Sequence, residues 1–179
     1  MTKIKINLSD YESKFVINNM YPLYLHDLAE IRNEYPNQYG VFDDNKIKTL
    51  EEQTSIFDIW WNRKGILFPY LITVNDLPAG FILVATPPYL VDDSDFMISE
   101  MFIMRPFRGK GIGEYSVATV FNNFCGNWML FTTPTDSNLK TIKFWRKTVA
   151  KYTKGKFIEL NEDLPHYGFN KVFRFSNKS

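Results

Sequence analysis

Met101-Phe102-Ile103-Met104-Arg105-Pro106-Phe107-Arg108-Gly109-Lys110-Gly111-Ile112-Gly113, continuing from Glu114 to Phe124, reads as an apolar strand, a glycine-rich turn and a helix. Such a corner aims several backbone N–H groups at one point, where the positive end of the helix dipole adds to them. It is an anion site. Glycine at 109, 111 and 113 removes Cβ atoms where the backbone must approach a bulky phosphate and where the helix must start close to the strand. Beyond the turn, Gly113, Val117, Val120, Phe121 and Phe124 fall at i, i+4, i+7, i+8 and i+11, an apolar stripe able to lie on a sheet.

Spacing separates the phosphate-binding patterns that compete for this turn. A P-loop needs G-x-x-x-x-G-K-[ST], but Lys110 is followed by Gly111, so no hydroxyl stands ready for magnesium. The dinucleotide fingerprint G-x-G-x-x-G needs glycine where the chain has Glu114 or Ser116. What fits is R-x-x-G-x-G, written here as Arg108-Gly109-Lys110-Gly111-Ile112-Gly113. After an apolar strand and before an amphipathic helix, this resembles the acetyl-CoA-binding signature of the GNAT N-acetyltransferase superfamily. A second segment agrees, about 25 residues on: Asn138-Leu139-Lys140-Thr141-Ile142-Lys143-Phe144-Trp145-Arg146-Lys147 resembles the family's later helix, commonly N-x-x-A-x-x-F-Y-x-K.

The 179 residues suit a single domain over 1–179, and 45% hydrophobic with 17% aromatic residues supply a continuous core. The single cysteine, Cys125, excludes an internal disulfide and reads as a helix-end packing residue. With no signal-peptide pattern at the amino terminus, the expected location is cytoplasmic. The most apolar segment, Ala79 to Val91, is broken by Pro87 and Pro88 and falls short of the roughly 20 residues of a membrane span. A net charge of +1 argues against a general nucleic-acid binder. Between Arg105 and Lys156, however, ten Lys or Arg stand against two acids, so the turn lies in a basic half and the remainder is acidic. That division suits a phosphate-rich cofactor on one side and a cationic acceptor on the other, or two solvated faces.

The remaining pattern predicts a first strand over Lys3 to Leu8, then a helix opened by a capping box at Ser9-Asp10-Tyr11-Glu12. Pro22 kinks that helix or starts a second one through Ile31. Tyr35 to Asn45 reads as loop, and Ile47 to Trp61 as another amphipathic helix, in which Trp60 or Trp61 walls an acceptor pocket or packs against a neighbouring loop. Phe68 to Val74 and Ala79 to Ala85 form a hairpin across Asn75 to Pro78, followed by a strand from Phe96 to Met104. After the turn and its helix come a strand from Trp128 to Thr133 and a last helix burying Leu139, Ile142, Val149 and Tyr152. Closing strands at Lys156 to Leu160 and Lys171 to Phe175 are joined by a loop holding His166. The result is an α/β (α+β) fold in one domain. The resemblance implies a mixed, mostly antiparallel sheet of about seven strands with about four helices, splayed at the cofactor site.

The resemblance also implies acetyl-CoA as co-substrate without a metal. Backbone groups of Arg108, Gly109, Lys110, Gly111, Ile112 and Gly113 would cradle the pyrophosphate. Phe102, Ile103 and Met104 would pair through their main chain with the pantetheine arm, and Asn138, Phe144, Trp145 and Lys147 would line the other side. A primary amine would attack the thioester directly, which requires a base to take its proton. Glu100 is the nearest candidate, sharing a strand face with Ile98 and Phe102; Asp92, Asp95, His26 and His166 are alternatives. Trp145 stands where many family members carry a tyrosine that protonates the departing thiolate, leaving Tyr115, Tyr152 or water for that step. The rival reading is a coenzyme A-binding sensor or interaction protein without catalysis. Acidic groups at 43, 44, 51, 52, 92, 93 and 95 suggest a cationic acceptor, either a small molecule or a protein amine, with the 92–95 cluster binding it. The aromatic content allows a homodimer without requiring one.

Overall fold

The computed structural model describes residues 2–178. One mixed sheet of seven strands runs in the order β1-β2-β3-β4-β5-β7-β6. The strands are β1 (Ile4–Leu8), β2 (Leu67–Val74), β3 (Leu77–Ala85), β4 (Phe96–Ile103), β5 (Asn127–Thr132), β6 (Ile158–Leu164) and β7 (Gly168–Ser176). Only β4 and β5 pair in parallel, and they do so over just three residue pairs, ending at Ile98 with Leu130. Every other neighbouring pair is antiparallel.

Alternation along the strands divides the core between two faces. Ile82, Val84 and Ile98 join Trp128, Leu130 and Phe173 under α4 (Ile112–Asn122) and α5 (Leu139–Thr153). Phe81, Leu83 and Phe102 lie on the opposite face with Ile17, Met20 and Tyr21 of α1 (Lys14–Arg32). Short helices α2 (Leu50–Ser55) and α3 (Ile59–Asn62) complete that side.

Local differences from the sequence reading have local causes. The expected capping box at Ser9 does not form: Ser13 precedes α1, donating its own N–H to Asp10 Oδ1 at 2.8 Å, and Ser9 Oγ accepts from Trp61 Nε1. The reciprocal capping box stands instead at Thr49 and Glu52, opening α2. Pro22 lies within α1, which runs unbroken because Ile17, Met20, Tyr21 and Ala29 bury one side of it. A proline inside a helix costs about 3 kcal/mol, which that packing offsets. The single helix predicted over 47–61 is two short helices separated by a 3₁₀ turn at Ile56–Asp58. Asn75 and Asp76 both take positive φ, so the first hairpin closes on two residues and β3 starts at Leu77. The β6–β7 strands likewise extend into the expected loop, leaving His166 at a tight hairpin tip. Leu139, expected in the core, is 47% exposed, whereas Trp145 and Thr148 are buried. Cys125, expected to pack at the helix end, is exposed.

Candidate active site

Beyond Ile98 the sheet opens. Ser99 to Ile103 of β4 and Phe131 and Thr132 of β5 no longer pair, and a cleft of about 820 Å³ lies between them. Its walls come from α1, β4, the glycine turn, β5 and the first half of α5.

Hydrogen-bond alternation fixes which parts of β4 face this opening. Met104 donates its N–H to the Ala79 carbonyl at 2.8 Å, and its own carbonyl accepts from Phe107. Alternate residues of an antiparallel pair turn their backbone groups to opposite edges, so Phe102 faces β3 with Met104, while Met101 and Ile103 present theirs to the cleft. The Ile103 carbonyl accordingly accepts from Arg108 Nε at 2.6 Å. Of the three residues expected to offer main-chain groups, Ile103 alone does; Met101 is its companion.

The turn after β4 begins with 3₁₀ geometry at Arg105–Phe107 and reaches α4 through Gly109 and Gly111, both at positive φ. Arg108 donates its N–H to Arg105, which removes it from the expected cradle. From Gly109 through Glu114, six successive N–H groups have no acceptor among the described residues. Unbonded donors of this kind, at the start of a helix, are what an anion nest is built from. A Cβ on Gly111 would meet nothing within 4 Å, whereas one on Gly113 would stand 3.2 Å from both Met101 Cε and Phe144 Cε2. The third glycine therefore serves close packing of α4 on β4 and α5.

Side chains around the nest are tied to one another. Asp27 of α1 accepts from Arg105 at 2.7 Å and from Arg108. Glu114 accepts from Lys147 at 2.6 Å, with Lys151 at 3.8 Å, and Lys110 donates to the Pro106 carbonyl. Asn138, buried before α5, donates to Thr132 Oγ1 and the Thr133 carbonyl, both at 2.7 Å. Its Oδ1 is buried without a partner among the described residues. Phe144 and Trp145 add apolar wall.

Glu100 lines the same cleft, but not on the face that simple alternation gives. The β3 register passes from Val84 opposite Ile98 to Leu83 opposite Glu100, so Ser99 is an extra residue that bulges from the strand. The bulge reverses parity: Ile98 shares a face with Met101 and Ile103, while Glu100 joins Phe102 on the α1 side. Its Oε2 is sealed from solvent without a hydrogen-bond partner among the described residues. Burial pushes the carboxyl up to about 8, and the Arg32 charge and the Tyr21 hydroxyl draw it back only in part. Burial, reinforced by the charge of Glu100, also raises the phenols of Tyr21 and Tyr24 above their ordinary range.

The other sequence candidates lie elsewhere. Tyr115 is 53% exposed outside the cleft. Tyr152 packs on Phe121 and donates to Asn122 at 2.9 Å. His26 stands edge-on to Phe42, and His166 is exposed. Asp92 accepts from Arg174 at 2.7 Å and Asp95 from the Asn127 N–H at 2.7 Å, so the 92–95 cluster braces the sheet end and contributes nothing to the cleft. Trp61 is a core residue, and neither it nor Trp60 lines the cleft. Sequence reading missed Tyr24, Asp27, Leu28 and Ile31, whose spacing of about one helical turn marks one stripe of α1 but not what it faces.

A set of solved structures shares this architecture over nearly the whole chain. The chain has the GNAT acetyltransferase fold. An acetyltransferase from Thermus thermophilus superposes with a TM-score of 0.65 at 14% identity, over 97% of each chain. A GNAT-family acetyltransferase from Staphylococcus aureus gives 0.59 at 18% identity, covering 98% of this chain and 100% of its own. The aminoglycoside acetyltransferase AAC(6′)-Ib, solved with ribostamycin and coenzyme A, gives 0.65 at 14% identity, covering 98% and 94%. No protein-family model matches the sequence, and no curated protein matches it. Among the described residues the GNAT fold here has no helix long and apolar enough to cross a membrane and no group of three or more His, Cys, Asp or Glu able to hold a metal.

Proposed function

We propose that the protein is an acetyl-CoA-dependent N-acetyltransferase acting on a primary amine. The observation that carries this reading is that one cleft is lined both by the glycine turn, with its free N–H groups, and by Glu100, with a sealed, unpartnered oxygen. The residues present fit coenzyme A. The nest from Gly109 to Glu114 suits a pyrophosphate; the open backbone groups of Met101 and the N–H of Ile103, with the orphaned Asn138 Oδ1, suit a chain of amides. When bound, acetyl-CoA supplies the acetyl group as an activated thioester.

The chain's own residues then divide the work. The Ile103 and Met101 N–H groups are fixed donors for carbonyl oxygens lying along β4. Glu100, with its proton affinity raised towards that of an amine, takes the proton that the attacking amine loses. Tyr24 is the one tyrosine lining the cleft among the described residues and is our candidate for returning a proton to the leaving sulfur, although burial makes its phenol a weaker acid; Tyr115 and Tyr152 lie outside the cleft. The acetyltransferase fold and the coenzyme A held by AAC(6′)-Ib support the reading.

Titration calorimetry with acetyl-CoA, followed by thiol release with added amines, tests it. The wild type should bind, Gly111→Glu should not, and Gly111→Ala, which adds backbone strain without filling the nest, should bind more weakly than wild type. Release must depend on the amine. Binding without amine-dependent release would make the protein a coenzyme A sensor; absence of binding would overturn the reading altogether.

A further inference from the structure

Three carboxylates line the cleft: Asp27, Glu114 and Glu100. Asp27 is neutralised by Arg105 and Arg108, and Glu114 by Lys147. Glu100 alone has no ion-pair partner among the described residues, and it stands on the α1 side of the bulged strand, away from the glycine nest. Around it the wall is apolar and aromatic: Tyr24, Leu28 and Ile31 of α1, Phe102 of β4 and Phe131 of β5. The Arg32 guanidinium adds positive potential at Glu100. A cation in such a place must shed water, and a low-dielectric wall compensates one charge through one carboxylate but offers nothing to a second or third.

Building on the N-acetyltransferase reading, we infer that the acceptor is an amine carrying a single positive charge on an apolar or aromatic body, not a polyamine or aminoglycoside. An approaching ammonium group favours the ionised form of the one unpaired carboxyl there, Glu100, and the remaining surface rewards buried carbon. A small arylalkylamine and a peptide amino terminus beginning with an apolar residue share this chemistry. The acidic groups at 43, 44, 51, 52, 92, 93 and 95 do not line the cleft, although the charge of Asp43 reaches the Tyr21 phenol beside Glu100.

The test uses 2-phenylethylamine, a peptide with amino-terminal phenylalanine, spermine and kanamycin. Each is titrated calorimetrically into protein saturated with coenzyme A, so that acceptor binding is read without turnover, and each is then assayed for thiol release from acetyl-CoA. A singly charged acceptor should bind at least about ten-fold more tightly than kanamycin or spermine. Whichever of 2-phenylethylamine and the peptide binds better identifies the source. Phe131→Glu, which adds a second carboxylate, should move the preference towards kanamycin by about ten-fold, and Leu28→Glu repeats the experiment from α1 should the β5 variant fail to fold. Tighter binding of kanamycin or spermine, no binding of either singly charged amine, or an unchanged preference in both variants overturns the inference. Selective binding of a singly charged amine without thiol release leaves it standing and removes the acetyl-transfer reading instead.

Discussion

Arg105 Nη2 donates to Asp27 Oδ1 at 2.7 Å, joining the turn after β4 to α1 at the wall of the cleft that Asp27 lines. Arg108 meets the other oxygen of the same carboxylate. One acid therefore restrains two cations beside the anion nest.

Replacing Asp27 by Asn frees both guanidinium groups for an incoming phosphate while loosening α1. Acetyl-CoA should bind about three-fold more tightly at low salt, the gain fading at high salt, and the melting temperature should fall slightly. Burial works to raise the Asp27 carboxyl, but Arg108 and Arg105 outweigh it and hold the group below its ordinary range. Its stabilising contribution is present above the unfolded carboxylate pKa, near 4, and is lost as pH falls through the lower folded value. Acid melting curves should show that loss in the wild type and not in Asp27→Asn.

Glu100→Gln should lower kcat by roughly 10²- to 10⁴-fold with little change in acetyl-CoA affinity by calorimetry. In the wild type, kcat should rise with pH through about 8 as the carboxyl ionises, and that limb should vanish in the variant. Stability should move the opposite way. The folded value lies above the unfolded one, so this group's contribution is complete below pH 4 and is lost as pH rises to about 8. At pH 9 the Gln variant should be more stable than wild type by on the order of a few kcal/mol in urea unfolding.

A Cβ on Gly80 would stand 2.1 Å from the Phe102 carbonyl oxygen across the β3–β4 ladder. Backbone atoms, not a pliable side chain, must yield. Gly80→Ala should cost more than about 3 kcal/mol in denaturant unfolding and, by displacing β4, weaken acetyl-CoA binding as well. Gly113→Ala meets only the ends of the Met101 and Phe144 side chains and should be far milder.

Asn138→Ala removes two hydrogen bonds that hold Thr132 and the Thr133 carbonyl, along with the orphaned Oδ1. We expect a stability loss of roughly 1–3 kcal/mol, and an increase in the Kd for acetyl-CoA of about ten-fold or more. Tyr24→Phe should instead lower kcat while leaving that Kd unchanged. A rise in that Kd to match the fall in kcat for Tyr24→Phe would assign the phenol to binding.

What the sequence determined by itself is the local machinery. Three glycines between an apolar strand and an amphipathic helix specify a nest, because only glycine takes positive φ freely at 109 and 111 and leaves room at 113. Binary patterning likewise placed the seven strands and the helices after the turn. Tertiary structure decided the rest. The bulge at Ser99 sets which face carries Glu100, and a one-residue insertion in the β3–β4 register leaves no mark in hydrophobic alternation. Tyr24 and Asp27 enter the cleft because α1 crosses the sheet beside the splay, and Tyr115, Tyr152 and the 92–95 acids drop out because chain geometry spends them elsewhere. Backbone conformation is a near-neighbour property readable from residue type; the sharing of one cleft by residues some 75 positions apart depends on how the sheet twists and parts.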